Sequence, residues 1–345
     1  MNDLEAFPGF DPHRPAGVSS PVRPYWLPEP EPPPPKPKLW LHALLLLLTF
    51  VTTSIAGAGV EILDDWRNIT SGLPFSLALL GILGVHEMGH YLVARRYGVD
   101  ATLPYFIPAP PLLGIGTFGA FIRMRSPTPN RRALFDVGAA GPWAGLFAAI
   151  PALYFGLRWS EVKPIGLLEG GLNLGEPPLF TFLSWLALGD LSDQMTVILH
   201  PVALAGWFGL LVTFFNLLPI GQLDGGHVVY ALVGKWHRWI ARGFLMLIIF
   251  LGFQGWPGWF VWVALLAIIG LDHPPTLDPW IGLDRNRKIA VAATAFVFWL
   301  TFMPEPFSQI EPAPEFEGIR TEVLWHPDRA PVADHDRVGR FVIAW

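Results

Sequence analysis

The sequence predicts an all-α, multi-pass membrane protein with six or seven transmembrane helices and a small membrane-associated β segment between the second and third. Two observations support this fold class. Of the 345 residues, 52% are hydrophobic and only 15% are charged, whereas soluble domains carry roughly 25% charged residues. In addition, several apolar runs approach or reach the length of about 20 residues that a helix needs to cross a bilayer.

Charge and cysteine content exclude several other classes of protein. The formal net charge is −5 and no basic stripe is present, which argues against nucleic acid as a partner. Cysteine is absent, so there is no disulfide framework, no thiolate metal site and no cysteine nucleophile. Any bound metal ion must therefore be held by His, Asp or Glu, and the lipid bilayer is the expected surrounding.

The two ends of the chain differ in composition from its middle. Residues 1–38 are rich in proline and are predicted to form a disordered cytosolic tail, because such a segment cannot bury a core. Residues 304–345 are predicted to form a polar tail outside the membrane, which leaves 39–303 as the membrane-embedded domain. No transit-like leader rich in Ser and Arg is evident, which favours a bacterial inner membrane.

The predicted spans follow one another through the embedded domain. The first, Leu39–Ala58, is an uninterrupted apolar run. The second, 75–94, has the required length but contains two histidines and a glutamate. The others are 137–157, 202–218, 242–253, 259–271 and 289–303. The count is six or seven because the two short runs at 242–271 form either two spans or a hairpin that does not fully cross.

The orientation of these spans follows from the Lys and Arg residues in short loops. Arg95 and Arg96 follow the second span, and Arg131 and Arg132 precede the third. The loop after the first span is acidic instead. The N-terminus is therefore predicted to lie in the cytosol, and the second helix to run from outside to inside.

The segment 99–132 is predicted to be the β segment. It is rich in proline and glycine, and its short apolar stretches are typical of strands joined by turns. Its apolar character allows it to dip into the membrane. Irregular backbone is tolerated at that depth only where protein or a water-filled cavity satisfies its polar groups.

The second span contains an H-E-x-x-H motif formed by His86, Glu87 and His90. Residues four apart lie on one helix face, so both imidazoles can bind one ion while Glu87 reaches a water on that ion. In a soluble helix, a chance match would be a serious alternative explanation for this motif. Near mid-membrane, however, ionisable groups are costly and indicate function. We therefore predict a metal site, with Glu87 as the base that activates water.

A third metal ligand is expected from the region after the fourth predicted span. Pro219 ends that helix, and the glycines beyond it permit a tight turn, which places Asp224 at a helix break inside the membrane. An aspartate before glycine is also common as a helix cap or in a turn. The spacing alone leaves both roles for Asp224 open.

The two motifs together resemble those of the site-2 protease family of intramembrane metalloproteases. They are His86-Glu87-x-x-His90 and, over a hundred residues later, Asn216-x-x-Pro219-x-x-x-x-Asp224-Gly225. The stretch 104–146, with Asp-His-Pro-Pro-Thr at 272–276, is most similar to the EGY-like branch.

This resemblance implies an activity and a cofactor. It makes Asp224 the third ligand of one zinc ion per chain, in a catalytic core over about 75–227. It also implies regulated intramembrane proteolysis of single-span membrane proteins, by hydrolysis with a zinc-bound water that Glu87 activates.

The resemblance further suggests residues that bind substrate. Asn216 and Pro219 match the family motif, which implies that Asn216 engages the substrate backbone. Gly116, Phe118 and Gly119 lie in a stretch similar to the strand that pairs with an unwound substrate by β-augmentation. An ordinary structural hairpin is the alternative for that stretch.

Two other functions compete with the protease. A transporter or channel would predict internal repeats, and none is found between the two halves. A non-proteolytic zinc-binding scaffold would keep the ligands but would not need Glu87. The loop between 158 and 201 is too short for a PDZ domain, and the sequence leaves the oligomeric state open.

Overall fold

The computed structural model describes residues 38–59, 62, 65–111, 114–164, 172–192, 194–309 and 341–343. Of the tail predicted at 1–38, residues 1–37 lie outside these residues, and so do 310–340 and 344–345 of the tail predicted at 304–345. The helices are α1 (Leu39–Ala58), α2 (Leu73–Arg96), α3 (Arg131–Arg158), α4 (Pro178–Leu188), α5 (Pro201–Asn216), α6 (Asp224–Val233), α7 (His237–Gln254), α8 (Gly258–Ile269) and α9 (Arg285–Leu300). Two 3-10 turns, Trp66–Gly72 and Gly234–Trp236, precede α2 and α7.

Four stretches of the described chain are long and apolar enough to cross a bilayer, which makes this a multi-pass membrane protein. They are Leu39–Ala58, Trp66–Arg96, Arg131–Arg158 and Asp224–Gln254. The predicted count of six or seven is not confirmed. The predicted span at 202–218 is the 16-residue helix α5, about 24 Å long at 1.5 Å per residue. That is shorter than the hydrocarbon core of about 30 Å.

The central packing unit consists of α2, α3, α5 and α6. Helix α3 packs against α2, α5 and α6, and α2 also packs against α5. The interface is filled by side chains that are almost completely buried, among them Leu79 of α2, Leu153 of α3 and Leu210 of α5. Because the candidate ligands lie on α2 and α6, this packing fixes the distance between them.

A small antiparallel sheet lies where the sequence predicts a β segment. Strands β1 (Tyr105–Pro108) and β2 (Thr117–Phe121) pair with Tyr105 opposite Phe121. The register shifts between Phe106 and Pro108. Strand β2 packs against α2, which brings the β segment next to the helix that carries the H-E-x-x-H motif.

A second sheet was not predicted. It contains β3 (Glu161–Pro164), β4 (Leu172–Leu174), β5 (Met195–Ile198), β6 (Phe307–Gln309) and β7 (Phe341–Ile343), in the order β3-β5-β7-β4-β6. The predicted all-α fold with one β segment is thus mostly helical as expected, but it did not include this second sheet. These strands have three or four residues, too few for the alternation that identifies a strand in a sequence.

Three helices are linked at their polar ends by Tyr97, Asp136 and Arg287. Arg287 donates from Nε to Asp136 Oδ1 at 2.9 Å and from Nη2 to Asp136 Oδ2 at 2.6 Å. The Tyr97 hydroxyl donates to Asp136 and accepts from Arg287 at 3.0 Å. The hydrogen bond with Asp136 raises the pKa of Arg287 above its usual value. This cluster ties α9 to α2 and α3.

Replacing Arg287 by alanine should destabilise the protein by about 2 kcal/mol, a value within the range for hydrogen bonds to charged groups. The substitution leaves the Asp136 carboxylate without its main donor. The measurement is thermal unfolding in detergent, with Lys288→Ala as the control because Lys288 is an exposed neighbour on the same helix. Equal unfolding temperatures for the two variants would show that the cluster does not stabilise the fold.

Candidate metal centre

The three predicted ligands lie together in the structure. His86 and His90 are one turn apart on α2, and Asp224 is the first residue of α6. The two Nε2 atoms are 3.2 Å apart. Asp224 Oδ2 lies 3.3 Å from His86 Nε2 and 3.2 Å from His90 Nε2. Both histidines are buried, with 3% and 6% of their surface exposed.

The spacing of these three atoms fits a tetrahedral metal ion. With ligand distances of about 2.0–2.1 Å, the ligand atoms of a tetrahedral zinc site lie about 3.3–3.4 Å apart. Two imidazoles and one carboxylate are also a ligand set that zinc accepts, with the fourth position left for water. Among the residues that the structure describes, no other group of three His, Cys, Asp or Glu has this arrangement.

The orientation of His90 is fixed by the backbone of α3. Its Nδ1 lies 2.7 Å from the carbonyl oxygen of Val137. The carbonyl can only accept, so Nδ1 carries the proton and Nε2 presents its lone pair to the cluster. Partners of this kind orient metal-binding histidines in general.

Glu87 lies between the ligand cluster and the β segment. Its carboxylate lies within electrostatic reach of the backbone N–H of Ile122, directly after β2, and of His90 and Asp224. Its exposed fraction is 7%. A buried carboxylate beside the ligands is suitably placed to exchange a proton with a water molecule there.

A row of glycines on α3 lets the ligands lie against its backbone. A Cβ at Gly141 would lie 2.0 Å from His90 Nε2, and one at Gly145 would lie 2.9 Å from His86 Nδ1. A Cβ at Gly138 would lie 2.7 Å from the Cβ of His227. These glycines were not among the predicted site residues, although small residues at such spacing are typical of close helix packing in membranes.

A tight turn between α5 and α6 returns the chain to α2. Gly221 has φ +56°, a conformation that favours glycine. Gly225 packs so closely on this turn that a Cβ would lie 2.0 Å from the carbonyl oxygen of Leu217. Pro219 is buried in the turn. The turn thereby sets where α6, and with it Asp224, begins.

The other residues predicted to bind substrate lie in different surroundings. Asn216 is at the site, with its Nδ2 3.2 Å from His86 Nε2. Phe118 is 66% exposed on β2, and Gly119 has open space where a Cβ would lie. Gly116 instead faces α1, since its carbonyl oxygen accepts from Thr52 Oγ1 at 2.7 Å. Packing against α1 therefore explains why position 116 is occupied by a glycine.

Comparison with known proteins places the site within a matched region. The model of "Peptidase family M50" matches residues 74–253, just over half of the chain. The chain is 38% identical over 176 residues to the probable zinc metalloprotease EGY1, chloroplastic, of Arabidopsis thaliana, covering 48% of the chain and 31% of that protein. It is 32% identical over 249 residues to the probable zinc metalloprotease EGY2, chloroplastic, of Oryza sativa subsp. indica, covering 71% and 45%. The match thus spans less than half the length of either relative.

Proposed function

Because this chain belongs to peptidase family M50, we propose that it is a zinc metalloendopeptidase that cleaves membrane-spanning proteins by regulated intramembrane proteolysis. The observation that carries the proposal is the triangle of His86, His90 and Asp224, with 3.2–3.3 Å between its ligand atoms. The names of the relatives, probable zinc metalloproteases, support zinc as the metal.

The residues around the triangle suit amide hydrolysis. When bound, zinc would act as a Lewis acid that polarises the scissile carbonyl and lowers the pKa of a water molecule. Glu87 would accept a proton from the attacking water and pass it to the leaving amine. The N–H of Ile122 lies near the Glu87 carboxylate, and the carbonyl of Val137 holds the His90 ring.

We propose that the substrate binds in an extended conformation beside β2. A helical substrate satisfies its own backbone hydrogen bonds, so it has to unwind before the scissile amide is accessible. An unwound segment can then add to β2 as a further strand. Phe118 offers an exposed apolar side chain there, and no atom lies within 4 Å of the place where a Cβ of Gly119 would be. Since Ile122, directly after β2, lies near Glu87, this position leads the substrate to the proposed base.

Replacing Asn216 by alanine should slow cleavage about tenfold and leave the zinc content unchanged. When His86 Nε2 binds the metal, the Asn216 amide can donate to a substrate carbonyl, and losing one hydrogen bond costs about 1.4 kcal/mol. The measurement is kcat/KM on a single-span substrate together with the metal content. A variant that loses zinc as well would indicate that Asn216 supports the ligands and not the substrate.

The orientation of the chain and its membrane also remain proposals. We place the N-terminal end of α1 on the cytosolic side, on the side where Arg95, Arg96, Arg131 and Arg132 flank α2 and α3. The relatives are named chloroplastic and give no support to the bacterial inner membrane expected from the sequence. Labelling of single cysteines introduced beside Arg95 and near Trp66, in a chain without native cysteine, would test the orientation.

The experiment that tests the function uses the full chain in detergent or in vesicles. Wild type and Asp224→Asn are compared for metal content and for cleavage of a panel of single-span proteins. We expect about one zinc per chain and chelator-sensitive cleavage in the wild type, with both reduced in Asp224→Asn. Zinc binding without cleavage of any substrate would favour the alternative of a non-proteolytic zinc-binding scaffold. A wild type that binds no zinc would overturn the proposal.

A further inference from the structure

Helix α6 is held at its C-terminal end by Arg131, which belongs to neither motif. Arg131 donates from Nε to the carbonyl oxygen of Ala231 at 2.8 Å and from Nη2 to that of Leu232 at 2.5 Å. Carbonyl groups in the last turn of a helix have no intrahelical donor. A cation is also favourable at a helix C-terminus. Arg131 therefore joins the end of α6 to the first residue of α3.

The N-terminal part of α6 is held by His273, in the segment after α8. His273 Nε2 lies 2.6 Å from Nδ1 of His227, one helix turn after Asp224. The His273 ring also stacks on Tyr230, with centroids 4.4 Å apart and an interplanar angle of 18°. Burial lowers the pKa of His273 to about 4, so the ring is neutral near pH 7 and can pair with a second neutral imidazole.

The segment that carries His273 is itself anchored. Leu277 donates its backbone N–H to Thr128 at 3.2 Å, and Asp278 donates to Pro129 at 2.8 Å. These acceptors immediately precede α3. The contacts of α6 through Arg131 and through His273 thus both lead to the start of α3.

The position of Asp224 depends on such external contacts. Helix α6 has ten residues, fewer than an isolated helix needs to be stable. The helix follows the turn that contains Gly221, and a 3-10 turn continues the helix at its C-terminal end. Its own hydrogen bonds therefore do not fix where its first residue lies relative to α2.

We propose that Arg131 and His273 are positioning residues that hold α6, and thereby the Asp224 carboxylate, at the separation from His86 and His90 that a metal ion requires. The inference rests on the proposed metal site. It assigns a role in metal affinity to two residues that contact neither metal nor substrate.

The test measures metal binding directly on the full chain in detergent. Zinc affinity is obtained by competition with a chelator, and the visible spectrum of the Co²⁺ form reports ligand geometry. His273→Phe keeps a ring against Tyr230 but loses the bond to His227, and Arg131→Gln loses the paired donors to α6. We expect each to weaken zinc binding about tenfold, the low end of the effect of removing a direct partner of a metal ligand, and to change the Co²⁺ spectrum. His273→Gln, which retains a polar amide, should recover most of the affinity.

The matched control is Arg132→Gln, because Arg132 neighbours Arg131 but donates to Gly282, outside α6. Wild-type affinity and spectrum in His273→Phe and Arg131→Gln would overturn the inference. So would an equal loss in Arg132→Gln, which would indicate general destabilisation. A wild type without zinc would instead remove the proposed function, so the two failures are distinguishable.

Discussion

Replacing Glu87 by glutamine should reduce cleavage by about 10²–10⁴-fold, the usual contribution of a general base, while zinc still binds. Glutamine has nearly the same shape as glutamate and fits the same buried position. It cannot take up the proton of the attacking water. The ligands His86, His90 and Asp224 are left intact, so the metal content should stay at the wild-type level.

The measurement combines kcat/KM on a single-span substrate with metal analysis of the same preparation. Glu305→Gln is the control, because Glu305 is exposed and lies after the segment 39–303 that is predicted to be membrane-embedded. Cleavage by Glu87→Gln at the wild-type rate would mean that another group takes the proton. Loss of zinc in this variant would mean that Glu87 helps to hold the ligands.

Replacing Gly141 by alanine should weaken zinc binding by about 10- to 100-fold and abolish cleavage with it. The added Cβ would lie 2.0 Å from His90 Nε2, the atom proposed to bind the metal. Either the ring turns away from the cluster, which breaks its bond to Val137, or α3 moves away from α2. Overpacking of this kind costs about 1–3 kcal/mol, here at the expense of the ligand geometry.

Zinc affinity by chelator competition is the measurement for Gly141→Ala, and Gly81→Ala is the matched control. Gly81 also lies within a membrane helix, but no atom lies within 4 Å of an added Cβ there. We expect the control to bind zinc as the wild type does. Wild-type affinity in Gly141→Ala would show that the close approach of α3 to His90 is not needed for the site.

Local periodicity was enough to predict much of this protein. The apolar runs locate α1, α2 and α3, because a helix that crosses lipid has to be apolar over about 20 residues. The spacing of His86 and His90 places both side chains on one face of α2 wherever that helix packs. The same local motif also identifies Glu87 as the candidate base. These features depend on residues within one helix, so no knowledge of the partners was needed.

Only the tertiary structure decided the features that join distant segments. The resemblance named Asp224 as the third ligand, but how it comes to lie next to the two histidines follows only from the fold, since the turn at Gly221 and the packing of α6 on α3 return the chain to α2. The need for glycine at Gly138, Gly141 and Gly145 follows from the side chains of α2 and α6 that pack against α3 at these positions. The five-stranded sheet pairs strands of three or four residues that are far apart in the chain. Spacing within one segment predicts which face a side chain occupies, but its neighbour across that face depends on how the segments pack.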